Sequence, residues 1–342
     1  LEKDLNPYKL DFLENINYKN YRYSFWLIIY HYNFYKFLEK NDPDWIKSPH
    51  FYKGVPYKFK VLIKLLKKLF ILGFVAKFLQ LFKKKFNPYD QLIKKYDLIV
   101  SFTGIKDPHS DDLCRSANKL GKKILFIQTG WDNISSKPLI ERPDFFGVWG
   151  LQSSEFLRSF HCFQLNNTFL IGSPRLYLHK KNKKTLLPFK KFKNKKIILF
   201  IGCGENFYDY PLLKKLNKFM TKSINIRKYQ IIYKPHPVMY IKNQFNEAEY
   251  KKIPNIYLWK KLDDIKYNNS SILSVTDFLI SPYSTMSLEA YYYGIPVLNF
   301  YYNHNMHKEH DYNIYGRHIN LFPIIYDKRN IETTSIKKFD ND

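Results

Sequence analysis

Ser281-Pro-Tyr-Ser-Thr-Met-Ser-Leu-Glu-Ala-Tyr-Tyr-Tyr-Gly-Ile-Pro-Val-Leu-Asn-Phe300 is the stretch whose reading decides the fold. The run Asp277 to Ile280 leads into a turn of small residues, a short helix, a break at Gly294 and a second apolar run. That order reads as strand–turn–helix–strand in an α/β unit. The turn sets Ser281, Ser284 and Thr285 where the helix begins, and hydroxyls there, with the N–H groups of a first helical turn, can hold a phosphate. Glu289, four residues past Thr285, stands where a carboxylate can accept ribose hydroxyls while the turn holds a diphosphate. An ordinary N-cap with a solvated Glu accounts for the same letters, and the rest of the chain weighs against it.

A chain of 342 residues is long enough for two domains, each with its own core. A hydrophobic share of 45% with 18% aromatics marks a folded protein. The net charge of +26 calls for an anionic partner, whether nucleic acid, an acidic membrane or phosphorylated substrates, although a Lys-rich composition supplies part of it without function. Arg is rare, which argues against nucleic acid, where the guanidinium fork is favoured. Cys114, Cys162 and Cys203 lie far apart with no CxxC, so neither a zinc knuckle nor a disulfide framework is indicated, and a reduced, cytoplasmic setting is expected. No secretory signal opens the chain, and no uncharged apolar run reaches the roughly 18 residues of a spanning helix. The first residue is Leu1 rather than Met, which leaves open whether a piece precedes it.

Residues 1–56 are aromatic and basic, with a helix expected through Tyr23–Leu38 and breaks at Asn41-Asp-Pro-Asp44 and Gly54/Pro56. Lys58 to Phe86 reads as a basic amphipathic helix. Lys60, Lys64, Lys67 and Lys68 project onto one arc of about 100°, and Leu62, Leu65, Leu66, Leu69, Phe70 and Leu72 take the other side. Such a helix can lie in the interface of an anionic bilayer, or bury its apolar side on a domain core. Lys77 interrupts the apolar run and argues against a spanning segment.

Asp97–Phe102 reads as a strand, Ser110 as the N-cap of a helix from Asp111 to about Leu120, and Lys123–Gln128 as a second strand in a parallel crossover. Asp107, His109, Asp111 and Asp112 invite a metal reading, but two of them are first-turn carboxylates favoured by the helix dipole, and no metal is expected. His109 is a candidate for proton transfer. Thr129-Gly-Trp-Asp-Asn-Ile-Ser-Ser-Lys-Pro138 follows at the carboxyl end of a strand, where open α/β sheets bind ligands; Asp132 there is also an ordinary turn former. Further strands are expected over 143–150 and 167–175, with a helix at Ser153–His161.

Lys180–Lys195, rich in Lys and Asn, marks a domain boundary, after which the alternation restarts. Strand Ile197–Ile201 precedes Gly202-Cys-Gly-Glu205, and helix Leu212–Thr221 follows. Strand Tyr229–Tyr233 ends in Lys234-Pro-His-Pro237, and Ile256–Trp259 is a short strand before the opening stretch. Gly202 and Gly204 fit a tight turn as well as a phosphate loop. From Tyr326 onward the chain is polar and expected to fray.

Together these pieces resemble the GT-B glycosyltransferases. Gln128–Lys137, with Pro143-Asp-Phe-Phe-Gly-Val-Trp149 and Ile171-Gly-Ser-Pro-Arg175, is similar to the first-domain signature of bacterial surface-polysaccharide transferases. Tyr233-Lys-Pro-His-Pro237 is similar to the second-domain motif of CDP-glycerol glycerophosphotransferases and capsule sialyltransferases, and Ser281–Phe300 to their donor-diphosphate turn and helix. The resemblance covers about residues 95 to 305. It implies an α/β chain of two facing Rossmann-like domains: a basic, aromatic, helical region over 1–95 that is part of the acceptor side, an acceptor domain over 96–185, a nucleotide-donor domain over 186–325 and a tail over 326–342. The first strands of the usual amino-terminal domain are not evident before Asp97, which leaves the acceptor side least defined.

The implied activity is inverting, metal-independent transfer of a sugar from a nucleotide-sugar to a lipid-linked or growing surface glycan, such as capsule or lipopolysaccharide. It needs no tightly bound cofactor and no nucleic acid, and is expected at the inner face of the cell membrane. The resemblance gives Lys234 and His236 to the donor diphosphate or its leaving oxygen, where cations stabilise developing charge. Ser281, Ser284 and Thr285 would bind the diphosphate and Glu289 the ribose, with Gly202 and Gly204 admitting the donor close to the backbone. Thr129, Gly130, Trp131, Asn133, Ser135, Ser136, Lys137 and Arg175 would line the acceptor side. Asp132 is the first choice of general base, with His109 and Asp107 next. His304, His307 and His310 recur every third residue without an acidic or Cys partner at zinc spacing, and are expected to line the cleft edge or a solvated loop.

Three other readings share these features. Glycerol-phosphate transfer from a CDP donor uses the same diphosphate site, a non-hydrolysing sugar-nucleotide epimerase shares the fold, and a basic scaffold would bind anionic lipid or nucleic acid through charge alone.

Overall fold

The structure, a computed structural model, describes residues 20–41, 43, 46, 49–52, 55–85, 87–103, 107–131, 133–174, 176, 194–202, 209–223, 228–241, 245–260, 269–281, 284–300 and 324–325. The chain divides into two compact units, Leu1–Gly172 and Ser173–Asp342. The expected boundary stretch over 180–193 and the tail over 326–342 lie outside the described residues.

In the first unit, four apolar segments form a parallel sheet in the order of the chain: β1 (Leu98–Thr103), β2 (Lys123–Gln128), β3 (Phe145–Val148) and β4 (Thr168–Leu170). The crossovers are α4 (Pro108–Lys119), α5 (Asn133–Ser136) and α6 (Leu151–His161), preceded in the chain by α1 (Asn20–Asn41), α2 (Tyr57–Lys68) and α3 (Leu72–Lys85). Period-two alternation sends Ile99, Ile124, Phe126, Phe146 and Val148 into one core with Cys114, Ala117, Ile134 and Leu157 of the crossover helices. Leu98, Val100 and Phe102 turn the other way and are exposed.

The aromatic region is part of this unit. Asp112 on α4 is fully buried and meets Arg22 of α1 at 2.8 Å, Lys83 of α3 at 3.1 Å and Arg115 at 2.6 Å. Arg115 also pairs with Glu141 at 2.7 Å, and the Trp26 indole donates to Asp111 at 2.8 Å. His161 of α6 stacks on Phe37 and lies 2.7 Å from the Ile134 carbonyl.

Three expectations are corrected here. Ser110 is not the N-cap of α4; the helix begins earlier, with Asp107 as the cap and Pro108 at its first position. The Asp107 carboxylate accepts from the His109 and Ser110 amides, at 3.1 and 3.0 Å, and Pro at that position has no N–H to lose. Asp111 stands in the first turn, but neither it nor Asp112 faces water, because both are spent on α1 and α3. The single helix expected over 58–86 is two, α2 and α3, broken by a left-handed turn at Phe70 with φ of 58°. The Ile71 amide donates to Leu66 O at 3.1 Å and the Phe70 amide to Lys67 O at 3.0 Å, which is a Schellman motif. Its apolar side is split: Ile63 is buried, while Leu62, Leu65, Leu69 and Phe70 are exposed. Lys60 and Lys64 lie over the Tyr52 ring and Lys67 lies 4.1 Å from the Tyr35 centroid, so part of the lysine arc faces the protein.

The second unit holds a parallel sheet ordered β10-β9-β8-β5-β6-β7. Its strands are β5 (Lys196–Ile201), β6 (Tyr229–Lys234), β7 (Ile256–Leu258), β8 (Phe278–Ser281), β9 (Val297–Phe300) and β10 (Ile324–Ile325). Its described helices are α7 (Asp209–Ser223), α8 (Pro237–Ile241), α9 (Glu247–Tyr250), α10 (Asn269–Leu273) and α11 (Thr285–Tyr292). The unbroken apolar run of β5 is what a strand covered on both faces needs. Ile197, Leu199 and Ile201 pack with α10 and α11, whereas Ile198 and Phe200 pack with α7 and α9. The chain moves from β5 outward to β6 and β7, then returns to β8 on the other side of β5.

Candidate functional site

That return makes a topological switch point between β5 and β8, and ligands of open α/β sheets bind beyond the carboxyl ends of the strands there. The register pairs Ile201 with Lys234 and Phe200 with Ile280, and the Gly202 amide donates to Lys234 O at 2.9 Å. Gly202, Lys234-Pro-His236 and Ser281 therefore share one sheet edge on adjacent strands, spaced about 4.8 Å apart.

Lys234 is almost enclosed, and its ammonium lies 5.7 Å from the Trp259 ring centroid, a cation–π arrangement that keeps the charge supported while it is shielded from water. The Trp259 carbonyl accepts from Tyr240 at 2.8 Å, tying α8 to the same corner. His236 is half-buried at the turn into α8, where the Met239 amide donates to its carbonyl at 2.9 Å. Ser281 is fully buried. Ser284 caps α11 by accepting from the Met286 amide at 3.2 Å, and half-buried Thr285 is the first helical residue. The positive end of the α11 dipole thus opens onto the edge that carries Lys234 and His236. The Glu289 side chain, expected at a ribose, is fully enclosed and accepts from Asn269 of α10 at 3.1 Å, because the helix turns that face into the core.

In the first unit, Thr103 pairs with Gln128, so the loop after β1 and the loop after β2 leave the sheet at one end. Gln128 holds that end together. Its amide nitrogen donates to Gly130 O at 3.0 Å, its amide oxygen accepts from the Trp149 amide at 2.9 Å, and its carbonyl accepts from the Trp149 indole at 2.8 Å. Thr129 is exposed and Gly130 half-buried, whereas Trp131, Ser135 and Ser136 are buried. Lys137 donates to Asn133 on α5. Asp107, a candidate base, has its carboxylate occupied by the α4 cap and by the Ser110 hydroxyl at 2.5 Å. His109 Nδ1 lies 2.7 Å from the Tyr89 hydroxyl. Asp132, Arg175, Gly204, His304, His307 and His310 lie outside the described residues. Among the described residues, no group of three His, Cys, Asp or Glu side chains gathers in a metal-binding arrangement.

The roles of Gln128, Asp209 and Trp259 escape a sequence reading. Trp259 is foreshadowed only by its place at the end of the expected strand Ile256–Trp259, while Gln128 reaches Trp149 and Asp209 accepts from the Tyr233 hydroxyl, both far along the chain.

No protein-family model matches the chain, and no curated protein matches it in sequence. Among solved structures it is similar to a Listeria monocytogenes protein assigned as a UDP-N-acetylglucosamine 2-epimerase, at 14% identity and a TM-score of 0.50, over 75% of this chain and 72% of that one. A UDP-GlcNAc 2-epimerase from Methanocaldococcus jannaschii aligns at 14% identity and a TM-score of 0.49, over 78% of this chain and 75% of that one. The wall teichoic acid polymerase TagF aligns at 14% identity and 0.42, over 72% of this chain and 68% of that one. The likeness to the Listeria monocytogenes structure, joined to the two parallel sheets, shows that this chain has the GT-B fold.

Proposed function

We propose that the protein is a nucleotide-sugar-dependent glycosyltransferase acting on a surface glycan or a lipid-linked acceptor. One observation carries the reading: Gly202, Lys234 with His236, and Ser281 stand at the carboxyl ends of the adjacent strands β5, β6 and β8, at the switch point. Ser284, Thr285 and the amino end of α11 would hold the donor diphosphate. Gly202 would admit it close to the backbone. An acceptor hydroxyl attacks the anomeric carbon, its proton passes to a base, and the bond from that carbon to the diphosphate oxygen breaks. Lys234 and His236 offset the charge that grows on the departing oxygen. Asp132 is the proposed base, with His109 next; Asp107 is withdrawn, since capping α4 already occupies it. Glu289 is proposed to fix α11 against α10 rather than to touch ribose. The acceptor would be met at the inner face of an anionic membrane.

The test is a thermal-shift panel of UDP, CMP, CDP, GDP and dTDP on the wild type and on Ser284→Ala/Thr285→Ala. A ligand that binds only the native state raises its stability. One nucleotide should raise the melting temperature, with the shift lost in the variant; no response to any of them sinks the donor site.

The fold shared with a protein assigned as a UDP-N-acetylglucosamine 2-epimerase favours a second reading, in which the same diphosphate turn serves an epimerase with no acceptor. Incubation with the responding nucleotide-sugar alone separates the two: a transferase leaves it intact until acceptor is added, whereas an epimerase converts it to its C2 epimer.

A further inference from the structure

Residues 57–85 contain nine lysines and no acidic residue. Lys83 is buried against Asp112 and Lys67 is turned onto Tyr35, while Lys58, Lys64, Lys68, Lys77, Lys84 and Lys85 are exposed. Between these lysines runs an uncovered apolar ridge. On α2 it is Leu65 and Leu69, one turn apart, and on α3 it is Phe74, Phe78 and Leu81, at i, i+4 and i+7. Phe70 stands in the turn between the two helices.

Phe70 is 95% exposed and sits in the left-handed region at the position of the Schellman turn that glycine ordinarily takes. A phenylalanine there is unfavourable twice within the fold, once in its backbone and once in its hydrated ring. Withdrawing the ring from water recovers the hydration cost and so offsets the backbone cost. Lys77 and Lys84 also line a cavity of about 430 Å³ beside Leu81, shared with Gln80, Asn118 and the Arg115–Glu141 pair. A ridge bordered by lysine, on two helices that carry no carboxylate, is complementary to anionic lipid rather than to an average protein surface. The 14 residues of α3 extend about 21 Å, too short for a hydrocarbon core of about 30 Å, and no helix among the described residues is long and apolar enough to cross a membrane.

We infer that the α2–α3 turn is a monotopic insert, in which Phe70 and the ridge of Leu65, Leu69, Phe74, Phe78 and Leu81 enter the headgroup boundary of an anionic bilayer while the exposed lysines lie at its phosphates. The inference rests on the membrane part of the function proposed above and deepens it: the apolar ridge holds the protein, and the Lys60–Lys64–Lys67–Lys68 arc does not suffice.

The experiment is co-sedimentation of the full chain with extruded vesicles of phosphatidylglycerol and phosphatidylcholine, or of phosphatidylcholine alone. Wild type should sediment with the anionic vesicles. Phe70→Gly should bind about tenfold or more weakly, since one ring is withdrawn from the interface. Its melting temperature should be unchanged or higher, because glycine relieves the left-handed backbone. Phe74→Ser/Phe78→Ser should weaken binding likewise. If these variants sediment like wild type while Lys64→Gln/Lys68→Gln/Lys77→Gln does not, charge alone holds the protein; the insert is then overturned and the peripheral reading stands. If wild type fails to bind anionic vesicles, both fall. A dimer that Phe70→Gly dissociates, with no vesicle binding, also overturns the inference and assigns the ridge to a second copy.

Discussion

The Tyr233 hydroxyl donates to Asp209 Oδ2 at 2.7 Å, which ties the start of α7 to the end of β6. A Cβ added at Gly202 would stand 2.5 Å from that same oxygen and 3.0 Å from the Tyr233 hydroxyl. Burial, and then the Asp209 charge, push the phenol pKa far upward, so it stays a donor at every working pH. Gly202→Ala should cost about 1–3 kcal/mol in urea denaturation through overpacking. It should also weaken the nucleotide response, since the strand end must shift. A Gly202→Ala protein with wild-type stability would show that this corner yields freely.

His236 is half-buried and outside the core clusters, so its replacement tests chemistry more than folding. His236→Ala should lower turnover by about two to three orders of magnitude, the usual loss for a preorganised donor at a charged transition state, with little change in melting temperature. Lys234→Met keeps an aliphatic stem over Trp259 and should lower turnover similarly. Near-normal rates in either variant would remove that residue from the mechanism.

Asp112 is the one carboxylate touched by Arg22, Lys83 and Arg115 together. Asp112→Asn would leave three cations facing one another in the interior, at a cost of about 3–5 kcal/mol. Burial, the largest cause, holds the Lys83 pKa down to about 8, and Asp112 opposes that fall. Without Asp112 the amine gives up its proton more readily. The variant should therefore lose less stability at pH 9 than at pH 7, measured by denaturant titration at both values.

Two buried groups of the first unit titrate against each other. Burial holds the His161 pKa down to about 4 from 6.5, and burial pushes the Asp111 pKa up to about 7 from 3.8. As pH falls from 6.5 to 4, the unfolded chain takes up the His161 proton and the folded chain does not, so stability is lost. As pH falls from 7 to 3.8, the folded chain takes up the Asp111 proton first, so stability is gained. Each effect is on the order of 3 kcal/mol across its window. Relative to wild type, His161→Gln should gain stability on acidification and Asp111→Asn should lose it; parallel profiles for all three proteins would contradict the assignment.

The strands are legible in the letters: the second sheet, covered on both faces, needs unbroken apolar runs such as Ile197–Ile201, and in the first sheet the alternating Lys123–Gln128 matches its strand end to end. The strand-end positions of Gly202, Lys234 and Ser281 follow from the same runs. What escapes is written elsewhere in the chain. Asp112 finds Arg22 across 90 positions and Glu289 finds Asn269 across 20, so neither partner is visible to local pattern. The break after α2 carries neither Gly nor Pro, since Phe70 itself adopts the left-handed turn, and periodicity runs straight through it. At α4, Asp107 and Ser110 are both good caps, and Pro108 decides between them.

The placing of β5 between β6 and β8 has a consequence for how the chain is made. The Ile197 amide donates to Asp277 Oδ2 at 2.7 Å across 80 positions, and β5 waits that long for its second neighbour. A ribosome that has released β5, β6 and β7 has released only half a sheet, with the long apolar edge of β5 bare. Contacts of such span close late and leave edges open to wrong pairing. The emerging second unit should therefore need chaperone protection until Ser281 clears the exit tunnel, and the switch point between β5 and β8 would form in the same event that seals the sheet.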